Sequence, residues 1–347
     1  MEKREETMLW LARLGLCIMA LVVAAACGGS SSAPSSGSRP ATVTVGLALQ
    51  PPKLIFIGFY VARDEGFFAK HHLNVQLAGF QDGVKSLKGV AGGSVDLGAT
   101  SSDDVIAAVS QGGGFKAIWS YATPVDSIML GGPSVKTPAD LRGKTIAITD
   151  PGGFADSQAR AVLTDAGIPA SAVRFQSFPG RSAFVPALTT GKVDAAVFHV
   201  DDGLTAQKLD PSLNVVAKIW QDAPKWWYGA VTVRADYARQ HGQVLEDFVQ
   251  AMIEADRWMY SHKSQVVQLA TKYTQEDPAV ISQSYDFLAA AHEWPVNDGL
   301  RQDMIEYTIQ QEFDNHQIDR KPRWQDVVDK RYVDAVLSKV GREKAGY

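Results

Sequence analysis

The segment GGSVDLGATSSDD, residues 92–104, returns in similar form about a hundred positions later as TGKVDAAVFHVDD, residues 190–202. Each copy contains Gly-x-Val-Asp, a short apolar run, and a pair of aspartates that begins seven residues after the first aspartate. The motif follows a helical pattern and leads into an apolar stretch typical of a buried strand. The Asp-Asp pair then comes where a strand ends and a helix begins, and carboxylates commonly cap free backbone N–H groups there. The repeat predicts two α/β lobes whose strand ends share a ligand-binding cleft.

Strand and helix patterns alternate on both sides of the repeat, from residue 42 to about residue 220. Eight apolar or β-branched runs predict strands: TVTVGLAL (42–49), NVQLAGF (74–80), VDLGAT (95–100), FKAIWSY (115–121), TIAIT (145–149), VRFQSF (173–178), DAAVFHV (194–200) and NVVAKIW (214–220). Helical patterns between them indicate βαβ units and mainly parallel sheets, hence an α/β fold. From Tyr237 onward the pattern changes to long amphipathic helices over residues 244–262, 297–313 and 324–340.

Charge and cysteine content argue against several classes of function. The 347 residues carry a formal net charge of -4 and no block of lysine and arginine, so the composition does not indicate a nucleic-acid partner. Both cysteines fall within the first 27 residues, so no disulfide, thiolate metal site or cysteine nucleophile is expected in the remaining chain. The seven histidines show no metal-binding spacing, so neither a metal nor a cofactor is expected.

The N-terminal segment is typical of an export signal. Residues 14–26 form an apolar core too short to span a membrane comfortably, and residues 1–26 are predicted to be a signal peptide of the lipoprotein type. The core ends in Ala24-Ala25-Ala26-Cys27, which is similar to a bacterial lipobox with alanine at the usual leucine position. We expect lipidation of Cys27, although a plain Ala-x-Ala signal with an incidental cysteine is the alternative. Residues 27–41 are rich in Ser and Gly and predict a flexible tether.

Four segments occur in an order that resembles a family of bacterial ABC-importer receptors. They are GFYVARDEGFFAKHHLNVQL (58–77), GSVDLGATSSDDV (93–105), TPADLRGKTIAIT (137–149) and ALTTGKVDAAVF (187–198). They resemble the nitrate/sulfonate/taurine and thiamine-pyrimidine-precursor branch of solute-binding lipoproteins. The resemblance implies the two-lobed type II periplasmic-binding-protein fold with a central cleft, two hinge crossings and a helical C-terminal region.

The resemblance also sets expectations for domains and partners. Lobe one maps to residues 42–122 plus 228–347, lobe two maps to 125–224, and the crossings fall near 121–124 and 222–224. The implied protein is a monomer, lipid-anchored on the outer side of the cytoplasmic membrane or in the periplasm. It binds a small-molecule ligand and delivers it, by cleft closure, to an ABC permease with its ATPase.

Catalytic interpretations find little support in the sequence. Gly143-Lys144-Thr145 resembles the end of a phosphate-binding loop, but Pro138 occupies the position of the required first glycine. No Gly-x-Ser-x-Gly nucleophile elbow occurs after the tether. A fungal pyrimidine-synthesising enzyme that shares the implied fold depends on a cysteine-rich motif, which has no counterpart here. We therefore expect no catalytic residue, and an exported sensory or enzymatic domain on the same fold is the alternative.

In the layout that the resemblance implies, four loops supply the ligand-binding residues. The candidates are Gln50, Lys53, Phe56 and Phe59; Ser101, Ser102 and Asp103; Gly152, Gly153, Phe154 and Asp156; and His199 and Asp201. Arg181 is a further candidate for an anionic ligand group, and Trp227 is either a cleft wall or core of lobe one. Aspartates in these loops would repel a bare oxyanion unless they cap helices. They favour an amine or a nitrogen heterocycle, while a sulfonate, taurine or nitrate-like anion stays open.

Overall fold

A computed structural model describes residues 39–222 and 224–344. The predicted signal peptide, Cys27 and nearly all of the tether lie outside these described residues, as does Ala223 at the second predicted crossing. Within the described part of the chain, no helix is both long and apolar enough to cross a membrane.

Strands and helices alternate through the first two thirds of the described chain. The strands are β1 (Ala41–Leu47), β2 (Leu73–Gly79), β3 (Leu97–Ser101), β4 (Phe115–Ala122), β5 (Ser127–Gly131), β6 (Thr145–Ile148), β7 (Arg174–Ser177), β8 (Ala195–His199), β9 (Asn214–Lys218) and β10 (Gly229–Arg234). The helices of this region are α1 (Ile57–Asp64), α2 (Phe67–Lys70), α3 (Gly83–Gly92), α4 (Ser102–Ser110), α5 (Phe154–Asp165), α6 (Phe184–Thr189), α7 (Val200–Leu209) and α8 (Ile219–Asp222).

The C-terminal third is helical, as its amphipathic pattern predicts. Its helices are α9 (Ala235–Gln240), α10 (Gly242–Met259), α11 (Lys263–Thr274), α12 (Pro278–Ala290), α13 (Gln302–Asp314), α14 (Trp324–Val327) and α15 (Arg331–Val340). The predicted helix over 324–340 is interrupted between α14 and α15, where Val328 forms an isolated bridge to Ala117 of β4. Helix α10 packs its apolar face on α1, α2 and α15.

The strands form two five-stranded sheets of the same design. The first sheet has the order β2-β1-β3-β10-β4 and the second has the order β7-β6-β8-β5-β9. In each sheet the first three strands are parallel. The strand in fourth position, β10 or β5, runs antiparallel to both of its neighbours. We call these sheets with their helices the first lobe and the second lobe.

The antiparallel strands correct the prediction of mainly parallel sheets. All eight predicted strands are present, and the two that the prediction omits are β5 and β10. Each is the first strand after the chain crosses between sheets, from Ala122 to Ser127 and from Lys218 to Gly229. The parallel strands end beside the other lobe, so a strand that arrives from there begins at that edge and runs the opposite way.

The repeated sequence motif forms the same local structure in both lobes. Gly93 and Gly191 have φ angles of 73° and 70°, which let the chain leave α3 and α6 at little steric cost. Asp96 then accepts a hydrogen bond from Thr44 N, and Asp194 accepts one from Thr145 N, both at 2.8 Å. Each aspartate therefore joins its own strand to the neighbouring parallel strand.

Candidate functional site

Aromatic side chains from both lobes meet where the crossings join the sheets. Phe154, at the start of α5, packs 5.2 Å from Tyr228 of the first lobe and stacks 4.8 Å from the His199 ring. Tyr121 lies 5.2 Å from Phe56 and 6.3 Å from Tyr228. We call these five residues the interlobe aromatic cluster, and all of them are buried.

A carboxyl pair lies beside this cluster. Asp103 of α4 and Glu312 of α13 hydrogen-bond to each other through their carboxyl groups, which requires a proton on one of them. Burial raises the pKa of Asp103 to about 7, with a further contribution from the Asp104 charge. Burial and the charge of Asp103 raise the pKa of Glu312 well above its ordinary value. The hydroxyl group of Ser157, in the second lobe, bonds to Asp103 and completes the contact between lobes.

His199 and Asp126 form a second buried pair. The Nδ1 atom of His199 lies 2.7 and 2.8 Å from the two carboxyl oxygens of Asp126. Burial lowers the pKa of His199 to about 3, assisted by the Arg181 guanidinium. Burial raises the pKa of Asp126 to about 8, although Arg181 opposes this shift. The charged forms of His199 and Asp126 are both disfavoured, so the pair is neutral. The Nε2 atom, on the other edge of the His199 ring, has no hydrogen-bond partner in the described residues.

Lys53 and Asp201 connect the lobes at the start of α7. The Lys53 ammonium lies 2.6 Å from Asp202 and 3.3 Å from Glu276, and the Asp201 carboxylate accepts a hydrogen bond of 3.0 Å from Leu54 N. Burial lowers the pKa of Lys53, but the charges of Asp201 and Asp202 outweigh it and raise that pKa. Burial and the Asp202 charge raise the pKa of Asp201 to about 6, against the effect of Lys53. We call Lys53, Leu54, Asp201 and Asp202 the interlobe latch.

Helix α5 supplies further polar groups. Asp156 pairs with Arg160 at 2.8 Å and accepts a hydrogen bond from Gly152 N at 2.8 Å, so it closes the loop before α5. Gln158 lies one turn after Phe154 on the same helix face, is fully buried, and has no partner for either amide atom in the described chain. The Arg181 guanidinium lies 4.3 Å from the centre of the Phe154 ring.

The aspartate pairs of the repeat do not occupy N-cap positions. Ser101 caps α4 and His199 precedes α7, so each pair lies in the first helical turn. Asp104 completes a capping box with Ser101, whereas Asp103 turns to Glu312. Capping therefore explains one aspartate of the first pair, and the first aspartate of each pair contacts another part of the fold.

Several predicted ligand residues have structural roles. Ser102 donates to the Trp227 carbonyl oxygen, and the Trp227 indole N–H donates to Ser120 of β4, so Trp227 belongs to the core of the first lobe. Phe59 packs between Tyr121 and Phe248. Two further predicted ligand residues lie outside the interlobe aromatic cluster. Gln50 is exposed beside Gly79, and Gly153 precedes the first turn of α5.

Sequence reasoning did not select three residues of the site, which are Asp126, Tyr121 and Glu312. Asp126 lies at the first crossing, where no periodic pattern marks it, and Tyr121 is the last residue of the predicted strand 115–121. Tyr228 belongs to the segment 226–228, which the sequence leaves open as a cleft wall or core of lobe one. Glu312 carried a readable signal, because it follows Ile305 and Ile309 at core spacing and a carboxylate on an apolar helix face is unusual. No group of metal-binding side chains occurs among the residues that the structure describes.

Comparisons with known proteins agree with this architecture. The sequence family described as NMT1/THI5 like matches residues 54–266, more than half of the chain. No curated protein sequence matches this chain.

Solved structures show the same fold over nearly their whole length. The periplasmic aliphatic sulphonate binding protein SsuA from Escherichia coli matches with a TM-score of 0.69 at 20% identity, covering 83% of this chain and 97% of that chain. The periplasmic nitrate-binding protein NrtA from Synechocystis PCC 6803 matches with a TM-score of 0.68 at 13% identity, and the match covers 86% of this chain and 89% of that chain. A DSZB mutant in complex with biphenyl-2-sulfinic acid matches with a TM-score of 0.63 at 13% identity, and the match covers 86% of this chain and 99% of that chain.

The fold expected from the sequence is thereby confirmed as the two-lobed fold of periplasmic binding proteins. The match over residues 54–266 confirms the resemblance drawn from the sequence motifs, and the chain belongs to the NMT1/THI5-like family.

Proposed function

We propose that the protein is an extracytoplasmic solute-binding protein that delivers a small organic solute to an ABC permease with its ATPase. The observation that carries this proposal is a group of buried hydrogen-bonding atoms without partners beside the interlobe aromatic cluster. In the described chain these include His199 Nε2, both amide atoms of Gln158 and Arg181 Nη1. Buried polar atoms are ordinarily paired, so unpaired atoms next to aromatic rings indicate groups that a ligand would satisfy.

Structural neighbours support the proposal at the level of function class. SsuA and NrtA are described as periplasmic binding proteins for an aliphatic sulphonate and for nitrate. The two crossings, 122–127 and 218–229, would act as hinges, and the interlobe latch would form on closure. The closed surface would be the one that the permease recognises.

Export and lipid anchoring at Cys27 belong to the same proposal and have a simple test. In cells that express the full chain, Cys27→Ala should move the protein from the membrane fraction to the soluble extracytoplasmic fraction. A variant that still fractionates with membranes would contradict the lipoprotein assignment.

An enzyme on this fold is the second candidate, and one observation favours it. Ser127 faces His199 directly across β5 and β8, and Asp126 holds the other side of the His199 ring. However, neither Ser127 Oγ nor His199 Nε2 has a hydrogen-bond partner among the residues that the structure describes, so they are not bonded to each other and the hydroxyl is not activated as a nucleophile. We therefore propose a receptor that performs no chemistry.

A thermal-unfolding screen of the full-length protein tests the receptor function. The panel comprises amines, nitrogen heterocycles, pyrimidines, sulfonates, taurine, nitrate and aromatic acids. A ligand at about 100 times its dissociation constant adds about 2.7 kcal/mol to the free energy of unfolding, which raises Tm by several degrees. A compound that stabilises the protein and is recovered unchanged supports the receptor, turnover supports the enzyme, and no response across the panel contradicts the receptor proposal.

A further inference from the structure

Within residues 39–222 and 224–344, no cationic side chain pairs with the carboxyl groups of Asp103 and Glu312. Both side chains are about 1% exposed. Ser102 Oγ donates to Asp103 Oδ1 at 3.4 Å and the Ser157 hydroxyl group bonds to both carboxyl groups, but no lysine or arginine of the described chain pairs with Asp103 Oδ2 or Glu312 Oε1. Besides burial, negative charges are among the main causes of the raised pKa values: that of Asp104 at Asp103, and those of Asp103 and Asp156 at Glu312.

Cationic side chains nearby are engaged elsewhere. Lys53 binds Asp202 and Glu276, and Arg160 binds Asp156. Arg181 lies over the Phe154 ring and acts on Asp104 and Asp126. A buried carboxylate without a cation is costly, so this pair requires either a proton or a positive charge from outside the chain.

The surroundings of the pair are those of a binding site. Ser157 brings the second lobe to Asp103, the N–H of the adjacent Ser102 donates to the Tyr228 carbonyl oxygen at 2.6 Å, and burial together with the Asp103 charge raises the pKa of the Tyr228 hydroxyl group. His199 stacks on Phe154, and Gln158 lies one turn after Phe154 on α5; both side chains are fully buried, and His199 Nε2 and the Gln158 amide have no hydrogen-bond partner in the described chain. Aromatic faces and carboxylates together attract organic cations.

We propose that the solute bound between the lobes carries a positively charged nitrogen, as an alkylammonium group or a protonated nitrogen heterocycle, that pairs with Asp103 and Glu312 beside the rings of Phe154 and Tyr228. This inference rests on the proposed receptor function and specifies its ligand. A cation replaces the proton that the pair otherwise shares. A bare oxyanion would meet two carboxyl groups that it repels, while the nearby cations Lys53 and Arg160 are already paired with carboxylates.

The test compares charge classes and three proteins. The three full-length proteins are wild type, Asp103→Asn and the control Asp314→Asn, which changes an exposed position on the same helix as Glu312. Each is screened against three ligand classes: cations (alkylamines and protonated heterocycles), their neutral alcohol or carbocyclic analogues, and anions (sulfonates, nitrate and carboxylates). The best binder is then titrated calorimetrically at pH 7.5. We expect a cationic nitrogen compound to bind best. Because charged hydrogen bonds are strong, its affinity for Asp103→Asn should fall by at least about tenfold, whereas its affinity for Asp314→Asn should not change.

Stability separates recognition from a merely structural role. Without ligand, Asp103→Asn should raise Tm by about 2 °C or more, because it removes an uncompensated buried acid while it weakens binding. A residue needed only for folding would instead lower Tm. An anion or an uncharged solute as best binder would overturn the charge assignment and leave the receptor standing. A best binder that Asp103→Asn retains at full affinity would also overturn the charge assignment, whereas no binder in any class would count against both proposals.

Discussion

Asp96 and Asp194 show how a single side chain can join two strands. Each follows a left-handed glycine and accepts a backbone hydrogen bond from the adjacent parallel strand, β1 or β6. The backbone N–H of each aspartate also donates to the same residue of that strand, Thr44 or Thr145. The motif is therefore repeated because each lobe needs the same junction, not because each copy contributes the same ligand contacts.

Removing this junction should cost stability in proportion to the lost charge-assisted bond. We expect Asp96→Ala to lower the free energy of unfolding by about 1.5–3 kcal/mol, and Asp96→Asn, which retains an acceptor oxygen, to lower it by less. Urea titration followed by far-UV circular dichroism measures both. Asp286→Ala, an exposed position in α12, serves as the control. Equal stability of Asp96→Ala and wild type would contradict the assigned role.

At the scale of elements, the first turn of α7 meets the short turn before α1 at the interlobe latch. In the ion pair of the latch, Lys53 is 14% exposed and Asp202 is 23% exposed. In a second interlobe ion pair, Lys208 is 58% exposed and Asp277 is 43% exposed. Less exposed charges are screened less by water and salt, so the first pair should dominate.

The two lysines give a matched comparison for closure. Lys53→Met should weaken the closed state by about 1–2 kcal/mol, a shift of roughly 5- to 30-fold, because it leaves Asp202 without its cation. Lys208→Met should change it by less than about 0.5 kcal/mol. Fluorescence energy transfer between dyes on the two lobes reports the closed fraction. Similar effects of both substitutions would show that the latch does not control closure.

At the scale of the whole molecule, the contact between lobes buries an excess of carboxyl groups. The pKa is raised to about 7 for Asp103, about 8 for Asp126 and about 6 for Asp201, with burial as the largest cause. The facing groups are Asp104, Glu312 and Ser157 at Asp103; His199, Arg181 and Glu293 at Asp126; and Lys53, Asp202 and Leu54 N at Asp201. Closure without ligand therefore takes up protons.

This proton uptake sets the sign of the pH dependence. A carboxyl group whose pKa is raised on closure stabilises the closed form below that pKa, and the stabilisation is lost as the pH rises through about 6 to 8. The lowered pKa of His199 opposes the gain from Asp126 below about pH 6.5, but the other carboxyl groups remain. Between pH 8.5 and 5.5 we expect the unliganded protein to become more compact in small-angle X-ray scattering, with a higher Tm. A radius of gyration that is constant or rises on acidification would contradict the assignment.

Local chemistry in the chain was sufficient to predict the fold class and eight of the ten strands. Apolar periodicity and the change from strand to helix pattern are properties of neighbouring residues, and they can be recognised in segments such as 92–104 and 190–202. The strand ends that carry Asp103 and Asp201 followed from the same reasoning, because ligands bind where parallel strands end, whereas the loop before Phe154 was implied by the family resemblance.

The partners of those residues depended on how the lobes pack. The contacts of Asp103 with Glu312, of His199 with Asp126, and of Asp201 with Leu54 N each join segments distant in the chain. Periodicity reports which face of an element is buried, but not which element covers it. The antiparallel course of β5 and β10, and the lack of a cation beside Asp103 in the described part of the chain, were therefore set by the tertiary arrangement of the two sheets.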